Sequence, residues 1–441
     1  MIRSRTNARS VTIRRVAITG LGVIAPLGNS VDELFTNLVA GRSGVRRLAP
    51  PLVERLKSPI GAAIEFDGNA HFPLPQLRLL DRVSQLALVA SAQAIADSQL
   101  DFASERRERC GVCVGTAMGG AESTDEGYQT IYALQSDRVK PYSVLTAMSN
   151  APASWIGIDH GLCGPNLTYS TACSSSAVAI GEAASKIRHN DADVMLAGGA
   201  EAPLTFGVLR AWEAMRTLAT EDPQDPSASC RPFASTRTGL VLGEGAAFVV
   251  LEEWSHAVAR GALIHAELSG YGLTTDTAHI TRPTVAGQAS AMRAALGSAG
   301  MDPDAIDYVN AHGTGTLQND VIETAALKEI FGSRAYRVPV SYEVHAWTPF
   351  GRRGGVGVRD SGRQPGARYR SADDAPGFAG SRLRSRLCRR ASADRHATAN
   401  RHVELLCIRR HKRGVGSRMR HAAVRALPLA AKTFFVRQLM N

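Results

Sequence analysis

No apolar run in the 441-residue sequence is long enough to cross a bilayer, and no secretory leader precedes its cysteines. The seven cysteines (110, 113, 163, 173, 230, 388 and 407) are odd in number and irregularly spaced, which argues against a disulfide framework and for a reduced, cytoplasmic setting. "CGVC" at 110–113 has neither a second pair nor a nearby histidine, and it lies inside the strand-like run "RCGVCVG". Two small buried residues are therefore expected there, and no metal site or membrane element is expected anywhere. A basic surface for nucleic acid is also missing from most of the chain. The formal charge is +11, yet residues 351–441 hold 22 Lys+Arg against 5 Asp+Glu, leaving 29 against 35 in the first 350 residues. The tail "RRGGVGVRDSGRQPGARYR" could reach phosphates, but its aromatics are too sparse for base stacking, so no specific nucleic-acid partner is expected.

What the body has is α/β patterning. "RVAITGLG" (15–22) reads as a buried first strand, and "SVDELFTNLVAG" carries the start and stop signals of a helix. An alanine-rich helix (85–100) leads to the strand and glycine turn "CGVCVGTAMGG". The same succession returns later: a helix at 288–301, then "IDYVNAHGTGT" (306–316), with "IHAELSGYGLT" (264–274) as counterpart of the first strand. Two copies of one α/β unit are expected.

Two stretches carry candidate chemistry. In "NLTYSTACSSSAVAIGEAASKIR" (166–188) a strand meets a helix with Cys173 at the junction. The N–H groups and dipole of a helix start favour an anion, so a cysteine there ionises more readily, and small neighbours permit a sharp turn that presents the sulfur. An inert buried cysteine is the plain alternative. In "VNAHGTGTLQNDVIETAAL" (309–327), His312 closes a strand before a Gly-Thr-Gly-Thr turn. An imidazole there can hydrogen-bond an oxyanion or move a proton. Cys173 and His312 are read as standing at equivalent strand ends of the duplicated fold, which favours catalysis over a surface histidine.

"STACSSS", "NAHGTGT", "RPFASTRTGLVLGEGAAFVVLE" (231–252) and "VAITGLGVIAPLG" together resemble the elongating β-ketoacyl-acyl-carrier-protein synthases, over roughly residues 14–341. The resemblance implies a thiolase-like duplicated fold in five αβαβα layers, usually a homodimer, without a cofactor of its own. It implies acyl transfer from the phosphopantetheine arm of an acyl carrier protein to Cys173, then condensation with a decarboxylated malonyl group. By the same resemblance His312 is catalytic, and Glu323 and Asp320 are its acidic supports, the glutamate normally pairing with a lysine. Thr314 and Thr316 would contact the pantetheine arm, Phe233 would stand near the malonyl group, and Met118 would line the acyl channel or simply pack. Ala234 and Thr238 replace residues that are usually acidic, which puts the support of that loop in question.

After Ser341 the resemblance stops: the expected lysine, a second histidine in an "HGH" turn and an "FGGTN" loop are missing. The genetic code permits them in codons shifted by one base. From Tyr342 the shifted frame permits TKSMHGHLLGAAGALEF, and from His402 it permits MSNSFAFGGTNA. The expected organisation is therefore an extension (1–13), a first half with the nucleophile (14–258), the start of a second half (259–341) and an out-of-frame, disordered basic tail (342–441). Core strands and a helix of the second half should be lost with it. The functional expectation is a ketosynthase of fatty-acid biosynthesis, impaired in this chain. A specialised lipid or polyketide ketosynthase and a silent chain-length-factor-like partner are the alternatives.

Overall fold

Strands that are apolar on both faces need cover on both faces, and the architecture follows from that requirement. The computed structural model describes residues 13–50 and 52–342 and, further on, the backbone of residues 397–401 and 404–409. The strands that position the site are β1 (Val16–Ile24), β2 (Cys110–Gly115), β3 (Asn166–Tyr169), β4 (Val194–Glu201) and β5 (Gly245–Glu253). They continue with β6 (Ala266–Leu273), β7 (Tyr308–Ala311), β8 (Val340–Tyr342), β9 (Ala397–Arg401) and β10 (Glu404–Arg409). Among the described residues they form one sheet in the order β8-β7-β9-β10-β6-β1-β5-β4-β2-β3.

Read from its two ends, that order is one permutation used twice: 3-2-4-5-1 and 8-7-9-10-6. The strand senses agree as well. The pairs β2–β3, β2–β4, β7–β8 and β7–β9 are parallel, whereas β4–β5, β5–β1, β9–β10 and β10–β6 are antiparallel. The expected duplication is thus present strand for strand.

The helices complete the layers. α1 (Arg82–Ser98), capped by the Asp81 carboxylate on the Val83 N–H, packs Leu86, Ala90 and Ala94 against Val112, Val114, Phe248 and Val250. α2 (Ser175–Arg188) packs Ala179, Ile180, Ala183 and Ile187 against Cys113, Met195 and Val249 on the opposite face. Its other side meets β6: a Cβ on Gly181 would sit 2.4 Å from the Tyr271 ring. Beyond β6 lies α3 (Val285–Ala299), and α4 (Asn319–Phe331) packs with it in one apolar cluster. The succession α1, half-sheet, α2, half-sheet, α3 gives the five expected layers. Close approach fixes matching glycines in the two copies. Gly20 and Gly22 of β1 lie against the backbone of α1, and Gly270 and Gly272 of β6 lie against that of α3, at 2.0–2.6 Å from any added Cβ.

After Tyr342 the described backbone consists of β9 and β10 alone. The expected loss of second-half strands does not leave their slots open, because β9 and β10 stand between β7 and β6. The exposed edges of β6 and β7 are rows of unpaired N–H and C=O groups, and an extended backbone of almost any sequence can satisfy them. Apart from these two strands, the expectation of a disordered tail concerns residues outside the described ones, as does most of the N-terminal extension.

Candidate active site

β2, β3 and β4 run parallel, so the turns that follow β2 and β3 open at one end of the sheet together with the last residue of β4. Beyond β3 the chain turns through Ala172, whose φ of 55° lies in the left-handed region that a residue with a Cβ enters at a cost. The serines explain why the turn holds. Ser174 Oγ donates to the Thr171 carbonyl at 2.7 Å, Ser175 Oγ donates to the Ala172 carbonyl at 2.5 Å, and the Thr171 N–H donates to Ser175 Oγ at 2.8 Å. Small side chains are needed for a second reason: the start of α2 abuts β2, where a Cβ on Gly115 would fall 2.2 Å from Ser175 and Ser176. Cys173, half-buried and outside any disulfide, is held two residues ahead of α2.

Cys110, Cys113 and Cys230 are buried, unlike Cys163, which is exposed. Cys110 and Cys113 face opposite sides of β2, in separate cores, and cannot act as a pair. Burial pushes both thiols up to about 12 and also raises that of Cys230, so none offers a thiolate near neutrality.

His312 follows β7 and is buried, with 2% of its surface exposed. The Glu323 carboxylate accepts the His312 N–H at 2.6 Å and the Gly313 N–H at 2.9 Å, and the Asn319 amide donates to it at 3.2 Å. Glu323 is thus the anchor of the histidine turn. Asp320 accepts the Phe233 N–H at 2.7 Å and the Thr314 hydroxyl at 3.3 Å, and the Arg237 guanidinium stands 3.8 Å away. Burial raises the Asp320 carboxyl above the ordinary aspartate value, although the Phe233 N–H, Asn319 and Arg237 act to lower it. The Thr314 and Thr316 hydroxyls are 2.8 Å apart, and Thr316 Oγ1 also accepts the Asn319 N–H at the start of α4. Phe233 has φ 59°, a strained value for an aromatic residue, and its N–H bond to Asp320 holds it there.

The sequence-derived residues therefore gather in two clusters. Cys173 and Met118 belong to one; His312, Thr314, Thr316, Asp320, Glu323 and Phe233 belong to the other. Two expectations change. β3 and β7 are not counterparts: by register β7 corresponds to β2, so Thr116 is the first-half equivalent of His312. The loop after Phe233 is also well supported despite Ala234 and Thr238. Arg237 donates to the carbonyls of Ala234, Thr316 and Leu317, and Thr238 Oγ1 accepts the Thr220 N–H. Sequence reading missed both Arg237 and Glu201. Glu201 ends β4 and takes the N–H groups of Ala117 at 2.6 Å and Met118 at 3.2 Å. The available signal was an acid closing an otherwise apolar strand, "VMLAGGAE".

The family model described as "Beta-ketoacyl synthase, N-terminal domain" matches residues 13–257, and "Beta-ketoacyl synthase, C-terminal domain" matches residues 265–342. The chain belongs to the β-ketoacyl synthase family. It is an acyltransferase-type condensing enzyme with the thiolase-like fold of that family. Nodulation protein E of Rhizobium meliloti (strain 1021) is 42% identical over 328 residues, 74% of this chain and 80% of that protein. The 3-oxoacyl-[acyl-carrier-protein] synthase 2 of Coxiella burnetii is 38% identical over 331 residues, with the same coverage. A β-ketoacyl synthase crystal structure from Burkholderia phymatum STM815 superposes with a TM-score of 0.74 at 31% identity, covering 91% of this chain and all of that one. The C-terminal family match ends at residue 342, where the sequence stops patterning. Among the described residues no group of three or more His, Cys, Asp or Glu could hold a metal ion, and no helix is long and apolar enough to cross a membrane.

Proposed function

We propose that the chain derives from an elongating ketosynthase that loads an acyl group on Cys173 and condenses it with a malonyl unit, and that a shift of reading frame near Tyr342 has impaired it. The carrying observation is the strained, serine-knit turn that holds Cys173 ahead of α2. The Cys173 thiolate attacks the carbonyl of an acyl-carrier thioester, and the pantetheine thiolate leaves. Malonyl-carrier then loses carbon dioxide, its carbanion attacks the acyl-cysteine carbonyl, and the sulfur of Cys173 leaves. In this reading His312 hydrogen-bonds the malonyl thioester oxygen as negative charge develops, Phe233 lies beside the malonyl group, and Thr314 and Thr316 contact the pantetheine arm.

The fold's internal register supports the frame shift. Gly115 pairs with Tyr169 as Ala311 pairs with Tyr342, so Tyr169 and Tyr342 are counterparts. Cys173 stands four residues beyond Tyr169. Four residues beyond Tyr342 is position 346, where the shifted frame permits the first histidine of "HGH". A two-fold repeat would thus put that histidine opposite the nucleophile.

The partners are an acyl carrier protein and a second copy of the chain, in a reduced, cytoplasmic setting. A type II polyketide ketosynthase solved in complex with its acyl-carrier protein superposes with a TM-score of 0.69 at 30% identity, covering 77% of this chain and 83% of that one. Self-association is supported by the end strand β3 and by exposed Tyr128, Tyr132, Leu134, Tyr142 and Leu145. The similarity to nodulation protein E, beside that to 3-oxoacyl-[acyl-carrier-protein] synthase 2, keeps a specialised lipid or polyketide ketosynthase as a second reading. Sequencing the coding DNA tests the frame shift: codons 342–415 that cannot spell the two motifs sink it. Incubating the purified chain with a radiolabelled acyl-carrier thioester tests the nucleophile. Label on Cys173 without β-ketoacyl product is expected; absence of label, with Cys173 still open to iodoacetamide, counts against the reading.

A further inference from the structure

Glu201 closes β4 at the end of the sheet where Cys173 and the turn after β2 also lie. Its carboxylate accepts the Ala117 N–H at 2.6 Å, the Met118 N–H at 3.2 Å and the Thr116 hydroxyl at 3.4 Å. Thr116 Oγ1 in turn accepts the Gly119 N–H at 3.2 Å, so one carboxylate organises the whole turn 116–119. From the other side Ser170, three residues before the nucleophile, donates to the Ala117 carbonyl at 3.4 Å. The turn is therefore held between the nucleophile's own loop and Glu201, and it presents Met118, 47% exposed, at that edge. Nothing in the condensation chemistry uses this carboxylate.

We propose that Glu201 is a positioning residue for acyl loading: it anchors the Met118 turn beside Cys173, and the anchor tightens when the negative charge on the sulfur is removed. The inference rests on the ketosynthase reading only for the identity of the acyl group. The electrostatics supply the coupling. Burial pushes the Glu201 carboxyl up to about 7, the Ala117 and Met118 N–H groups pull it down, and negative charge at Cys173 pushes it up again. The charged group facing Glu201 is thus the nucleophile, while the turn presents N–H groups and a hydroxyl. A thiolate favours protonated Glu201 and a looser turn. Acylation neutralises the sulfur, the carboxyl ionises, and its bonds to the Met118 turn strengthen around the new acyl chain.

The test uses the full-length protein and two readouts on Cys173, resolved by peptide mass mapping. The first is the rate of iodoacetamide alkylation from pH 5.5 to 9.5. The wild type is expected to show an inflection near 7 in addition to the thiol's own. Glu201→Gln removes a charge that the wild type carries above about pH 7, so it should lose that inflection and alkylate about threefold to tenfold faster at pH 8. The second is loading from a long-chain acyl thioester, expected to fall by about tenfold or more in Glu201→Gln because the turn is displaced. Glu201→Asp should restore the inflection. Opposite signs for the two rates mark positioning; both rates falling together, or an unchanged alkylation profile, overturns the proposal. A third measurement needs no variant: capping Cys173 of the wild type with methyl methanethiosulfonate should slow amide exchange at residues 117–119 about threefold or more. Unchanged exchange also overturns it. If the wild type alkylates as expected but accepts no acyl group, the ketosynthase reading fails instead.

Discussion

The two halves of the sheet follow one plan but differ in how they are closed. In the first half β1 is buried at every residue, between the α1 and α2 cores. Its counterpart β6 alternates: Ala266, Leu268, Gly270 and Gly272 are buried, Glu267, Ser269 and Tyr271 are half-buried, and Leu273 is 48% exposed. In the first half β3 runs straight into the turn and helix that carry Cys173, whereas β8 is followed by residues outside the described ones. The difference teaches that sheet topology and chemistry have different tolerances. Backbone hydrogen bonds can be satisfied by β9 and β10, taken from a segment with no family pattern. A catalytic histidine cannot be replaced in that way.

The sharpest way to break the comparison is to make the halves alike. A gene with the shifted frame restored after codon 341 should yield measurable β-ketoacyl product where the chain as written yields none. Regaining a single oxyanion donor is already worth about 10²–10³ in turnover. Equal, absent activity in both proteins would remove the explanation of impairment. Next in size is truncation after Tyr342, which strips β9 and β10 from β6 and β7. It should lower the unfolding midpoint and expose apolar surface to a hydrophobic dye. If the truncated and full chains melt together, β9 and β10 contribute nothing to stability.

Third is the seam between the halves. Asp320→Ala leaves the Arg237 guanidinium and the Phe233 N–H without their carboxylate, both close to a buried group. A loss of about 3 kcal/mol in urea unfolding is expected, with Asp320→Asn intermediate.

The sequence made the nucleophile turn and the His312 turn legible because each is local: strand, small residues, helix start. It also made the duplication legible, through repeated runs such as "RVAITGLG" and "IHAELSGYG". Register was not legible. Only paired strands reveal that His312 corresponds to Thr116 and not to the residue ahead of α2. Glu201 and Arg237 were hidden for a related reason. Each serves backbone groups distant in sequence, 84 residues away for Glu201 and Ala117 and 79 for Arg237 and Thr316, and no local pattern announces such a bond.

Charge separates the halves as well. In the first half burial works to raise the Glu252 carboxyl, but hydrogen bonds from Arg260, His256 and Thr19 outweigh it and hold the group at about 2. Its folded value lies below its unfolded one, so its contribution is complete above about pH 4.5 and disappears as pH falls towards 2. It is on the order of 3 kcal/mol. Asp320 at the seam is raised, so its effect has the opposite sign: stability declines as pH rises from the unfolded aspartate value through the raised one. His256, raised first by its bond to Glu252, stabilises below the ordinary histidine value and loses that contribution as pH climbs through its folded value. Chemical unfolding between pH 3 and 8 should therefore show Glu252→Gln flattening the acid limb, and Asp320→Asn leaving that limb in place. A Glu252→Gln protein with an unchanged acid limb would contradict this assignment.

The smallest effect expected is at Ala234. A missing acidic residue there would matter if the loop depended on it, yet Arg237 already ties the loop to Ala234, Thr316 and Leu317 through their carbonyls, and Asp320 already holds the Phe233 N–H. The one backbone donor among these groups, the Phe233 N–H, is therefore already taken, and an added carboxylate in its ionised form would stand near Asp320, whose carboxyl burial already raises. Ala234→Asp should change the unfolding free energy by less than about 0.5 kcal/mol. Arg237→Ala should end that indifference: Asp320 has then lost its nearest cation, and Ala234→Asp should destabilise through repulsion between the two carboxylates. If Ala234→Asp proves strongly stabilising in the wild-type background, Arg237 is not what holds the loop.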